Sequence, residues 1–352
     1  MRRRLGAIVI SVAIVAACGG STTPKVTAKD TSSLVDIGQG LHGPSGLSAT
    51  TYATGLTHAA AFAFDDDGRL WVATADYSDS GQDALYLVTA AGQTPVKVID
   101  ALHMPIGLLW YQNDLYVAAK ESVTKYEGFD GTAFASHTTV VTFPSGVGEV
   151  NTLTLTPAGR MQVGISSNCD HCTPTTEYSA SIVSFLPDGS DLKVDASGIR
   201  APIGLDYYPG TSNLFATMDQ RDDLGDETPG DWLAVVPEGS KWGFPDCYGQ
   251  GGDACTGVPA PVAVLDPHAA VSDIAFVDGQ FTGTTGKVAI VAEWATDTVL
   301  AVAITTDGAK YGGTVSTFLT GVKNPVAVAL GPDNAIYVAD WTAGTVFRIA
   351  RS

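Results

Sequence analysis

The sequence predicts an all-β protein, a six-bladed β-propeller closed by an N-terminal strand that joins the last blade. One pattern recurs along residues 55–350: a polar residue, an apolar strand, a tight turn and a second apolar strand. Equivalent positions fall at Ala59, Pro105, Val150, Pro202, Val271 and Pro325, separated by 46, 45, 52, 69 and 54 residues. Each unit is long enough for four short antiparallel strands, and such periods mark propellers or solenoids. Helical periodicity is nearly absent. The composition agrees: of 352 residues 45% are hydrophobic and only 16% charged, which excludes disorder over most of the length.

Residues 1–17 read as an export leader. Arg2, Arg3 and Arg4 precede an apolar run from Leu5 to Val15 that is too short to span a bilayer as a mature helix. Val15-Ala16-Ala17-Cys18 has the form of a bacterial lipobox, so Cys18 is the expected lipidation site, and Gly19 after it favours the outer membrane or cell surface. Residues 18–50, rich in Ser, Thr and Gly, are expected to form a flexible tether, leaving 51–352 as the propeller. The membrane is then touched only through the lipid anchor.

The blades follow in order. The first reads His58–Phe64, a turn at Asp65–Gly68, then Leu70–Thr74. The second and fourth repeat Pro-Ile-Gly-Leu at Pro105 and Pro202, each before a second strand at Leu115 or Leu214. Asn151–Leu155 with Met161–Gly164, Ser272–Phe276 with Val288–Val291, and Pro325–Val328 with Ile336–Ala339 complete the six. The 69-residue step marks an insertion over roughly Asp219–Val262. Thr50–Thr54 before blade one and Thr345–Ala350 at the end are expected to pair, which closes the ring and removes an exposed sheet edge.

Charge and cysteines narrow the function. The net charge is −18, and removal of the leader's three arginines takes it to −21, so a nucleic-acid partner is excluded by repulsion from phosphate. Besides Cys18 the chain has Cys169 with Cys172 and Cys247 with Cys255, two local pairs that in an exported chain read as disulfides.

In an up-and-down blade the start of the first strand and the end of the second share a face. That rim gathers His58, His103, Glu149, Arg200, His268, Lys323 and Asn324 from the starts. From the second-strand ends come Asp76, Lys120, Ser167, Asn168, Asp219, Trp294 and Trp341. These polar residues are expected to border an axial pocket.

Three stretches resemble the glucose/sorbosone dehydrogenase family, soluble quinoproteins that use pyrroloquinoline quinone (PQQ), and especially its pyranose-dehydrogenase-like branch. They are Asn151–Gly159 through Cys169; Ser197–Leu205 with Leu214–Asp219, Asp223–Asp226 and Glu238–Pro245; and Phe318–Gly321 with Asn324–Val328 and Ile336–Asp340. The resemblance implies PQQ over the channel with Ca²⁺ on its quinone oxygens, hydride transfer from a sugar hydroxyl to the quinone, and a periplasmic or surface electron acceptor. It assigns Arg200 to the cofactor, with Lys323, Asn324 and Lys120 as further cofactor-binding candidates. Asp222, Asp223 and Asp226 fall in the loop that supplies the family's calcium site, largely through backbone oxygens. The family's proton-abstracting histidine falls at Gly148 in this chain, so Glu149 and His103 are the substitute bases.

Two other functions compete. One is a catalytically degenerate propeller that binds a glycan or protein at the cell surface. The other is a lactonase-type propeller with a metal held by Glu149, Asn151, Asp219 and Asn324. An axial pocket on which Arg200 and Lys323 converge with His103 or Glu149 would favour the quinoprotein; Trp294 or Trp341 filling the space would favour binding.

Overall fold

A computed structural model describes residues 33–226, 228–248, 253–308 and 310–352. The leader, Cys18 and the first part of the expected tether lie outside these residues. The described chain forms six antiparallel sheets arranged as a propeller. Blade one is Ala59–Phe64, Leu70–Thr74, Asp83–Val88 and Val96–Leu102; blades two to five repeat this order from Gly107, Val150, Ala201 and Val271. The first strands touch one another in sequence around the axis, and the sixth returns to the first.

Closure is by the N-terminal strand. Leu47–Ala53 pairs with Thr345–Arg351 as the outer strand of blade six, whose inner strands are Val328–Leu330 and Ile336–Asp340. The tether was expected to run to residue 50, but residues 35–50 carry strand. Val35–Gly38 and Leu41–Gly43 form a hairpin that extends blade five through His42 against Thr320. Only a few apolar residues fix it: Leu41 is fully buried and Ile37 nearly so, in the core between blades five and six. The insertion of blade four is two loops rather than one. The strand Gly230–Val235 separates a loop after Asp219 from a longer one that Cys247–Cys255 closes.

The second strand of each blade is the most apolar because it is covered on both faces by neighbouring blades. Leu70–Thr74, Met161–Ile165 and Ile336–Asp340 are buried at every position. The recurring Pro-Ile-Gly-Leu has a packing cause. A Cβ at Gly107 would meet the backbone of Asn151 and Leu153 in the next inner strand, and one at Gly204 would lie 2.7 Å from the Ser272 carbonyl oxygen. At these two positions neighbouring inner strands approach this closely because a side chain is absent.

Candidate functional site

The rim encloses an axial cavity of about 620 Å³. Asp76, Glu149, Ser167, Asn168, Arg200, Asp219, Trp294 and Trp341 line it, as the up-and-down geometry predicts. Because blades three and six face each other across a six-bladed ring, the cavity has two unlike walls. Blades five, six and one supply Trp294, Trp341 and Tyr77; blades three and four supply Glu149, Asn151, Ser166–Asp170, Arg200 and Asp219.

The aromatic wall is contiguous and fixed. Trp341 donates its indole N–H to the Ala75 carbonyl at 3.0 Å and packs against His58 with ring centroids 4.2 Å apart. Trp294 meets Trp341 edge-on at 5.9 Å, and Tyr77 lies 6.4 Å from Trp341 on the other side. Trp294 is 36% exposed and Tyr77 44%, so the rings line the space without filling it.

Arg200 is the one cation among the described residues that line the cavity, and it is fully engaged. Its guanidinium contacts Asp219 at 2.7 Å, Asp170 at 3.0 Å and Asp222 at 3.3 Å. Desolvation opposes its charge, and the carboxylates of Asp219, Asp222 and Asp170 more than offset this, so its pKa is raised. Asp170 is held in the loop that the disulfide Cys169–Cys172 closes. Burial pushes Asp219 up to about 6 despite Arg200, and its neighbour Asp231, fully buried, well above the usual carboxylate range. At the base of the cavity Asp273 is pushed up to about 7 by desolvation, with the backbone N–H groups of Ile274 and Val328 donating to it.

The other cofactor candidates stand apart from the axis. Lys323 pairs with Asp297 at 2.7 Å. Asn324 donates its side-chain amide to the Trp294 carbonyl and accepts from Thr342, so it braces the aromatic wall. Lys120 pairs with Asp79 and lines a side cavity shared with Glu149. Of the two substitute bases, Glu149 lines the axial cavity, whereas His103 is outside it and bonded to Asp79 at 2.8 Å. The Glu149 carboxylate has no hydrogen bond or ion pair among the described residues. Its N-terminal neighbour explains the missing histidine: a Cβ on Gly148 would collide with the Ser166 carbonyl and lie 2.8 Å from that of Ser167. The backbone at 148 accommodates only glycine.

The acidic loop is an ion-pair lattice. Asp222 bonds His268 at 2.9 Å as well as Arg200, and Asp223 takes Arg221 at 2.5 and 2.6 Å and His171 at 3.0 Å. Asp226 is exposed. A calcium ion takes six to eight oxygens, and here the carboxylates of Asp222 and Asp223 are committed to cations. No group of three or more His, Cys, Asp or Glu among the described residues is placed to hold a metal. Of the lactonase set, Glu149, Asn151 and Asp219 reach the cavity and Asn324 does not; Asn151 donates to Ser166 and to the Pro202 carbonyl, joining blades three and four.

The cavity is large enough for PQQ, but its charge does not fit. Three carboxylates of the cofactor would meet Asp76, Glu149, Asp170 and Asp219 around a single guanidinium that Asp219, Asp170 and Asp222 already neutralise. Freeing Arg200 would leave Asp219, the most buried of its three partners, without its cation.

No family model and no curated protein matches the chain. Solved structures do. A Trichoderma reesei protein of carbohydrate-active enzyme family AA12 superposes with a TM-score of 0.74 at 18% identity, over 88% of this chain and 97% of that one. The holo form of the pyranose dehydrogenase PQQ domain from Coprinopsis cinerea gives 0.73 at 16%, over 88% and 97%. The PQQ-bound aldose sugar dehydrogenase of Streptomyces coelicolor gives 0.68 at 18%, over 87% and 99%. These are proteins of the kind the sequence motifs resemble, and the chain shares their six-bladed fold.

Proposed function

We propose that this protein is a carbohydrate-binding propeller built on the sugar-dehydrogenase fold, with its ligand in the axial cavity and no bound quinone. The two-walled cavity carries this reading. Sugars present apolar C–H faces that pack on aromatic rings and hydroxyls that need paired donors and acceptors. Trp294, Trp341 and Tyr77 offer the first; Glu149, Asn168, Ser167 and Asp170 offer the second. Because Trp294 and Trp341 border the site, sugar binding should change tryptophan fluorescence, and Trp341→Ala should weaken it at least tenfold. PQQ with Ca²⁺ should neither raise the melting temperature nor shift the cofactor's absorbance. Absence of any sugar-dependent signal would overturn the reading.

A second reading, sugar oxidation, is favoured by one observation: Glu149 lines the axial cavity with no side-chain partner among the described residues, one residue from the position of the family's histidine. Sugar-dependent dye reduction with PQQ and Ca²⁺, abolished in Glu149→Gln, would establish it in place of the first.

A further inference from the structure

The charge that disfavours PQQ also selects a ligand. Asp76, Glu149 and Asp170 surround the upper cavity, and Arg200 balances only part of them. Among these carboxylates Asp76 is used by the Ser78 backbone N–H and hydroxyl, and Asp170 by Arg200 and the Asp222 backbone N–H. Among the described residues Glu149 alone of the three has no hydrogen bond or ion pair on its carboxylate, and it lines the same cavity as Tyr77, Trp341 and Trp294; after desolvation, its charge helps to raise the pKa of the Tyr77 phenol. A carboxylate that shares a cavity with indole and phenol rings is suited to an ammonium group, which gains from the carboxylate and from the ring faces together.

We infer that the ligand is a sugar bearing a free amine, its ammonium seated between the Glu149 carboxylate and the wall of Tyr77, Trp341 and Trp294. This rests on the carbohydrate reading above and names the substrate class of the same cavity. Arg200, locked by its three aspartates, holds those carboxylates in place rather than acting as an anion receptor.

Isothermal titration of the mature protein at neutral pH with glucosamine, glucose, N-acetylglucosamine and tetramethylammonium separates the two readings. Glucosamine should bind about ten- to a hundredfold tighter than glucose or N-acetylglucosamine, the range of one charge-assisted hydrogen bond. Glu149→Gln should erase that preference; Glu149 is exposed, so the variant should keep the wild-type melting temperature. Equal affinity for the three sugars overturns the cationic ligand and leaves the carbohydrate site standing. A preference that survives in Glu149→Gln overturns the assignment to that residue. Binding of tetramethylammonium with no sugar bound retains the cation and removes the carbohydrate. Binding of none of the four removes both.

Discussion

Asp273 shows how a single buried carboxyl sets the behaviour of the axis. It lies where the cavity narrows into the channel, beside Asp206, which burial pushes up to about 6. In the unfolded chain such a group titrates near pH 3.9, whereas in the fold Asp273 holds its proton to about pH 7. The folded state therefore binds more protons through this window, and the stability present below pH 4 is lost as pH rises towards 7. Asp273 is partly open to the cavity, so its contribution is about 2 kcal/mol. The protein should be less stable at pH 8 than at pH 5, and Asp273→Asn should shrink that difference by about this amount. Urea titrations of both proteins with identical pH dependence would refute the assignment. Legibility at this scale was uneven. Arg200 stands out in Gly198-Ile-Arg-Ala-Pro-Ile-Gly, but its neutralisation does not, because Asp170 reaches it from a different blade. Gly148 reads from sequence as a lost histidine; only the backbone packing shows that no side chain fits.

Between blades, single carboxylates act as latches. Asp231, near the start of Gly230–Val235, accepts the Gln220 N–H at 2.9 Å and the Val271 N–H at 3.1 Å, tying blade four to the first strand of blade five. Asp83 does the same in blade one, accepting from Asp76 and Met104. The signal was present in the sequence as an aspartate at the head of an apolar run, Asp83-Ala-Leu-Tyr and Asp231-Trp-Leu-Ala. Strand periodicity gives such a residue no role, because its partners are backbone groups in other segments. Asp231→Ala leaves two buried N–H groups without acceptors, each costing about 1–3 kcal/mol. The expected loss is about 2–5 kcal/mol in denaturant unfolding, together with weaker sugar binding, because Asp219 and hence Arg200 lean on Asp231. Wild-type stability in this variant would show that the latch is ornamental to the fold.

The whole ring depends on how its N-terminal strands are paired. Repeat spacing made six blades and terminal closure legible, since a propeller leaves an open edge unless the two ends of the chain meet. The preceding hairpin was not legible: Ser, Thr and Gly dominate residues 18–50, and two buried side chains, Ile37 and Leu41, are too few to register as a strand pattern. The two segments nevertheless differ in what they hold. The hairpin adds to an outer edge of blade five, whereas Leu47–Ala53 supplies the fourth strand of blade six and buries Leu47, Ala49, Tyr52 and Ala53. Removing residues 1–46 should cost about 3–6 kcal/mol, from the burial of two large aliphatic side chains, and leave a closed ring that still binds its ligand. Removing residues 1–53 strips the closing strand from Thr345–Arg351 and exposes its backbone as a pairing edge. That truncation should aggregate or lose cooperative unfolding, and so lose the cavity, because Trp341 is carried by the same blade between Ile336–Asp340 and Thr345–Arg351. Size-exclusion chromatography and urea unfolding of the two truncations distinguish these outcomes. A soluble, cooperatively folding protein lacking residues 1–53 would show that five complete blades and a partial sixth suffice to hold the ring.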